Sequence, residues 1–272
     1  MGRNGAGPLQ KGMSKLPDRA LLLMAALIYL FLYAPILVLM VFSFNSSRST
    51  RVWEGFSTEW YAALWRDQSV LDAFYNSMIV GVTSTIIATI IGTLTAMALT
   101  RHRFRGQGFA DSTIYAATVM PEIVVGVSLL AFFVAIGFGL GITTIIIAHV
   151  AFNISFVTIV VRARLSGMDE SIEEAARDLG ANPLQTFLRV TLPLILPGVM
   201  AGALLAFTLS FDDFVITFFV SGVGSSTLPL KIYSMIKFGV SPVINALSTV
   251  ILVATMILIF GGSRLFMGEK ES

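Results

Sequence analysis

The sequence predicts an all-α, polytopic membrane protein with six transmembrane helices, and three observations lead to that fold class. Hydrophobic residues make up 56% of the 272 residues and charged residues only 12%, half of the roughly 25% usual in a soluble domain. The apolar residues gather in long blocks, and mean hydropathy is +0.83. The basic residues concentrate in the gaps between alternate blocks. The absence of cysteine excludes disulfides and thiolate chemistry, and a net charge of +2 is too small to point to nucleic acid.

The first block, "LLLMAALIYLFLYAPILVLMVF" (21–42), follows a basic head with Arg3, Lys11, Lys15 and Arg19. The apolar core of a cleaved signal peptide runs about 7–15 residues. This block is longer and no small-residue cleavage site follows it, so it reads as a retained span. Crossing the hydrocarbon takes about 20 apolar residues, which gives spans at 21–42, 74–99, 111–137, 141–161, 194–220 and 242–266. The chain then divides into a cytoplasmic N-terminal segment 1–20, one six-span domain 21–266 without internal repeat or linker, and a cytoplasmic tail 267–272. Six spans place both termini on one side. Of the 18 Lys and Arg residues, 13 fall in the head, the 101–108 loop, the 162–193 loop and the tail. The positive-inside rule puts those segments in the cytoplasm.

Within the outer loop 43–73, "STEWYAALW" starts a helix, with Ser57 or Thr58 as N-cap and Glu59 in the first turn. Trp60, Tyr61, Leu64 and Trp65 share a face. Such a stripe is either an aromatic anchor at the membrane surface or a lid of aromatic faces over a cationic solute.

The loop 162–193 carries "DESIEEAARDLGANPLQTFLRVTLP" (169–193). Ser171 and Glu174 form a capping box. Ile172, Ala175, Ala176 and Leu179 make one apolar face. Gly180 suits a left-handed C-cap. Asn182 caps a second helix with Pro183 in its first position, and Pro193 and Pro197 break or bend the chain as it enters the membrane. Two turns of helix are marginal alone in water, and the small alanines suit insertion into a groove on another protein. The alternative is a helix lying on lipid. Its outer face, with Glu173, Arg177 and Asp178, has mixed sign rather than the basic character that anionic lipid selects.

This stretch resembles the EAA signature of type I ABC importer permeases, with Glu174, Ala175 and Ala176, then Gly180, then Val190, Leu192 and Pro193. Valine stands where the signature has isoleucine. The resemblance implies that the loop forms a coupling helix docking into a cytoplasmic ATPase, two copies of which bind ATP and Mg and drive the pore. The chain itself has no G-x-x-x-x-G-K-[ST] loop to cradle phosphates, so a non-catalytic subunit holding no cofactor or metal is expected.

Ionisable residues inside spans mark a pathway or a partner. Glu122, after Pro121, lies about 16 Å along the third span at 1.5 Å per residue. Asp212 and Asp213 come about 27 Å along the fifth, pointing about 100° apart if helical. One could face a solute while the other bonds a neighbouring helix; a structural pair, and a neutral buried Glu122, are the alternatives. His149 and Asn153, one turn apart, suit interhelical hydrogen bonds. With two histidines in the chain, no metal cluster or catalytic triad is expected.

"FTLSFDDFVITFFVSG", "STLPLKIYSMIKFGVSPVINALST" and "LYAPILVLMVFSFNSS" look like the polyamine (spermidine/putrescine) branch of these permeases, and the resemblance runs from about Tyr33 to the last span. It implies roles in polyamine uptake for Glu122, Asp212 and Asp213, for Trp60 as the nearest match to an aromatic residue in the first outer loop, and for Ser210. It also implies a bacterial inner membrane, a second permease subunit of paralogous sequence, and an extracytoplasmic polyamine-binding protein. Flexible polycations call for spaced carboxylates and aromatic faces. A permease for another cationic or small solute, an ion-coupled secondary transporter and a non-transporting receptor or scaffold are the alternatives. The inverted repeats of the secondary transporter are not seen in the sequence.

Overall fold

The computed structural model describes residues 18–48, 52–238 and 242–267, with side chains at 20–48, 52–237 and 242–257. Residues 1–17 of the basic head and 268–272 of the tail lie outside the described residues. The elements are α1 (Asp18–Phe42), α2 (Glu59–Arg66), α3 (Gln68–Arg101), α4 (Gln107–Val119), α5 (Glu122–Ala135), α6 (Ile142–Ser166), α7 (Ser171–Asp178), α8 (Pro183–Thr186), a π-helical segment (Phe187–Thr191), α9 (Leu192–Asp212), α10 (Val215–Val220), α11 (Leu228–Phe238) and α12 (Pro242–Met267). Among the described residues the sole β feature is a bridge between Asn45 and Phe56. The fold is all-α. Among the described residues four apolar helices are long enough to cross a membrane, at Ala20–Phe42, Gln68–Arg101, Ile142–Ser166 and Pro183–Asp212, and α4 with α5 adds a bent fifth. The sixth expected span falls on α12, apolar over Pro242–Ile257.

The chain forms two compact units, 1–67 with 235–272, and 68–234. In the first, the segment that follows α1 is organised by Asn45. Its amide donates to the Val52 carbonyl at 2.7 Å and accepts from the Glu54 N–H at 2.9 Å. Helix α2 then turns two aromatic tips onto the same segment: the Trp60 indole N–H donates to the Asn45 carbonyl at 2.6 Å, and the Tyr61 and Ser43 hydroxyls meet at 2.7 Å. The predicted stripe divides. Trp60 and Leu64 are buried and Tyr61 half-buried, but Trp65 is 66% exposed. Of the two expected caps it is Ser57 whose hydroxyl accepts the Glu59 N–H, at 3.1 Å, and Thr58 makes no side-chain cap.

In the second unit α3, α6 and α9 pack together along their length. Small residues permit the approach: a Cβ on Gly92 would lie 2.8 Å from the Val157 side chain, and the Thr158 hydroxyl reaches the Gly92 carbonyl at 3.2 Å. One apolar cluster gathers Val157, Val161, Leu165, Ile195 and Ala206, and a second joins Phe133 of α5 to Ile145, Ile216 and Val220.

Two predicted spans are not continuous helices. The stretch 111–137 is cut between α4 and α5, which bend by 111°. Met120 and Pro121 are both extended, with ψ of 133° and 130°, because proline disfavours the helical region for its predecessor and supplies no N–H. Glu122 therefore heads a new helix, and a depth counted along one straight helix does not apply. The stretch 194–220 is cut after Asp212, where Asp213 is extended at φ −65°, ψ 124° before α10 begins. The two aspartates do not follow one another around a helix. Pro193 and Pro197 do not break the helix: both lie within α9, and a π segment comes just before it.

Candidate functional site

Asp213 is buried, and each contact of its carboxylate follows from the helix break. A helix start leaves N–H groups without intrahelical partners. Asp213 accepts two of those of α10, from Thr217 at 2.8 Å and Ile216 at 3.3 Å, together with the Thr217 hydroxyl at 2.7 Å. His149 of α6, fully buried, places Nε2 at 3.2 Å from the same carboxylate and 3.0 Å from the Thr217 hydroxyl. Its Nδ1 lies 2.6 Å from the Ser210 hydroxyl, which lies 2.9 Å from Ser84 of α3. Two proton assignments meet these contacts: a neutral ring that donates from Nε2 toward Asp213 and accepts at Nδ1 from Ser210, or a ring protonated at both nitrogens, with Ser210 donating to Ser84 and Ser84 to the Gly81 carbonyl at 3.3 Å. The network joins α3, α6, α9 and α10 around a carboxylate that apolar surroundings would otherwise exclude. The interhelical role expected for His149 is what its contacts show. Asn153, one turn further on and fully buried, has no hydrogen-bond partner among the described residues.

Asp212 is exposed, as is Glu122 in the first turn of α5. Around the break stand two aromatic groups. Phe207 and Phe211 stack at 5.7 Å with Phe74 edge-on to Phe211, and Phe214 packs on Tyr233 at 4.7 Å and on Phe218 at 5.7 Å. Phe218 and Tyr233 remain 51% and 44% exposed. The structure thus brings Ser210 and Asp213 together, leaves Asp212 open beside them, and sets Trp60 within the other unit with its indole N–H bound to Asn45.

The second candidate region is the loop 162–193. Gly180 adopts φ +89°, and the bonds from Ala181 N to Ala176 O and from Gly180 N to Arg177 O form a Schellman C-cap on α7. Asn182 and Gln185 exchange side-chain and backbone bonds at 2.9 and 3.0 Å, with Pro183 at the first position of α8, as the sequence predicts. The predicted capping box of Ser171 and Glu174 does not form. Ser171 is itself the first helical residue, and its N–H is taken by the Asp169 carboxylate at 3.0 Å. That backbone bond, and then the Ser171 hydroxyl, hold the Asp169 pKa below its ordinary value of 3.8. Ile172 and Leu179 of the apolar face are 42% and 91% exposed, with Glu174 and Ala175 also open and Ala176 half-buried. Leu192 is half-buried and Pro193 exposed at the start of α9. Glu173, expected on the outer face, is instead buried against the body. Its carboxylate meets Arg101 Nε at 3.3 Å and accepts the Thr191 hydroxyl at 2.9 Å.

The sequence reading missed Ser84, Thr217, Arg101 and Thr191, and placed Glu173 on the wrong face. Asp213 itself carried a usable signal, because an aspartate suits a helix start. Arg101 and Glu173 are paired across 72 positions, and no local pattern reveals that.

A family model described as "binding-protein-dependent transport system inner membrane component" matches residues 88–265. Among curated proteins, the chain is 44% identical over 243 residues to the spermidine/putrescine transport system permease protein PotC of Escherichia coli K12, covering 89% of this chain and 92% of that one. It is 46% identical over 239 residues to the putrescine transport system permease protein PotI of the same strain, with 85% of each covered. With PotC of Haemophilus influenzae it shares 42% over 232 residues, 85% of this chain and 90% of that one. Among solved structures, a bacterial ABC transporter that imports the acidic polysaccharide alginate superposes with a TM-score of 0.74 at 17% identity, over 97% of this chain and 100% of that chain. The MetNI methionine ABC transporter gives 0.59 at 20% identity, over 78% and 99%. At those identities the likeness shows the fold.

Proposed function

The chain belongs to the binding-protein-dependent transport system inner membrane component family, and on that premise we propose that it is a permease subunit of an ATP-driven importer of polyamines. The observation that carries this reading is the 44% identity to a spermidine/putrescine permease over 89% of the chain. As in those relatives, the chain is a multi-pass, non-catalytic membrane component. A second permease, paralogous to this one, completes the pore, two copies of a cytoplasmic ATPase hold the ATP and Mg, and an extracytoplasmic polyamine-binding protein delivers the solute. Both termini and the loop 162–193 face the cytoplasm, in keeping with the 13 of 18 basic residues on that side.

The geometry supports a division of labour. Asp212 and Glu122 are exposed carboxylates, each beside a helix break, where an ammonium group that leaves water can find a compensating anion. Asp213 and Ser210 act from the buried network and hold the break that presents Asp212. Trp60, buried with its N–H bound, contributes as a fixed wall of the outer segment. On the other side, the open face of Ile172, Ala175 and Leu179 enters the ATPase, with Glu174 at its edge, Gly180 ending the helix, and Leu192 and Pro193 leading into the membrane. A permease for another organic cation is the second reading, favoured by the same exposed carboxylates. Proteoliposomes containing the assembled importer separate the two. Labelled spermidine or putrescine accumulates under the polyamine reading when ATP and the binding protein are supplied. Uptake of another organic cation with none of either polyamine favours the second.

A further inference from the structure

We propose that Glu173, held between Arg101 and Thr191, is the positioning residue through which movement of α7 reaches the membrane helices α3 and α9. The inference rests on the reading of α7 as the coupling helix, and its charged pair, Glu173 and Arg101, lies outside the EAA signature.

Helix α7 has eight residues, which is too few to be stable alone. Its apolar face is turned outward, so apolar packing against this chain is not what fixes it. What faces inward is Glu173. One oxygen of its carboxylate accepts from Arg101 Nη2 at 3.4 Å and from the Thr191 hydroxyl at 2.9 Å, and the other lies 3.3 Å from Arg101 Nε. The two charged side chains are 11% and 9% exposed, so solvent screens this pair little. Arg101 also bonds Glu170, at the N-cap of α7, but that carboxylate is 66% exposed and its contribution is small.

The two anchors belong to different helices. Arg101 is the last residue of α3, a 34-residue helix packed against α6 and α9. Thr191 closes the π segment that leads into α9. An extra residue in the turn changes which way the following side chains point, and here Thr191 is buried and directed at Glu173. The covalent route from α7 to α9 runs through residues 179–182, the four residues of α8 and the five of the π segment. The route to α3 passes through the Glu173–Arg101 pair, which couples α7 to a helix 72 positions away in sequence.

The test uses the assembled importer in proteoliposomes and reads two ratios, uptake per ATP hydrolysed and ATPase activity with binding protein over activity without it. Glu173→Gln keeps an acceptor for Thr191 and removes the charge, and Arg101→Gln removes the cation. The expected result for each is retained ATPase in the purified complex with both ratios lowered about tenfold, within the usual range of coupling between sites. The double variant should be no worse than either single one, because both break one link. Unchanged ratios, losses that multiply in the double variant, or loss of the ATPase from the complex would each overturn the proposal. If Glu173→Gln does not accumulate, Arg101→Lys, which keeps the charge but not the two-nitrogen reach, is read by the same outcomes. A wild-type complex that responds to binding protein but accumulates no polyamine removes the substrate reading alone, and the ATPase ratio still decides the link.

Discussion

The break after Asp212 and the loop around α7 both contain two adjacent acidic residues, and in both the pair splits. Asp213 is buried and Asp212 exposed; Glu173 is buried and Glu174 exposed. The buried members are satisfied differently. Asp213 meets helix N–H groups, a hydroxyl and an imidazole, whereas Glu173 meets a guanidinium and a hydroxyl. A carboxylate among apolar spans can be held by the start of a helix that it itself caps, together with a buried imidazole. A carboxylate at the end of the spans can use an arginine at the end of another helix, here Arg101. In each case the buried acid fixes an element and leaves its neighbour facing outward.

The sharpest break of this comparison is Asp213→Ala against Asp212→Ala. The first leaves two N–H groups, a hydroxyl and an imidazole without their acceptor, and should destabilise the chain by about 3–5 kcal/mol. The second should change stability by less than about 0.5 kcal/mol. Thermal unfolding of the purified chain in detergent measures both, and equal shifts would end the distinction between buried and exposed acids.

Next in size is Gly180→Val. At φ +89° a side chain costs about 1–2 kcal/mol, felt within the loop, so the variant should insert normally and retain less ATPase on purification. Asn182→Ala is smaller, since an N-cap contributes about 1 kcal/mol. It should speed amide exchange at Gln185 without altering the outer break. The smallest effect concerns Asp169. Its folded pKa lies below the ordinary 3.8 because it accepts from Ser171, so its stabilisation is complete above that value and is lost as pH falls through the lowered one. Exchange protection of the Ser171 amide should therefore hold at neutral pH and disappear only in acid. Loss of Ser171 protection above pH 5 would contradict the assignment.

What the sequence revealed divides along the same line. The spans, the turn at Gly180 and the cap at Asn182 depend on nearby residues, and all were legible. The cuts at Pro121 and Asp213 were not. A continuous apolar run obscures a break whose cause is a two-residue change of backbone. Glu173 was misplaced because helical spacing puts it opposite the apolar face, and opposite was taken to mean outward. The apolar face was the outward one, and only Arg101, remote in sequence, shows why.

The most direct test of the central claim is polyamine uptake by the Asp212→Asn importer in proteoliposomes, read beside its binding-protein-stimulated ATPase activity. An exposed pathway carboxylate predicts that uptake falls about tenfold or more, the loss of one charge-assisted contact, while the complex assembles and its unfolding temperature is unchanged. Uptake equal to that of the wild-type complex would contradict it.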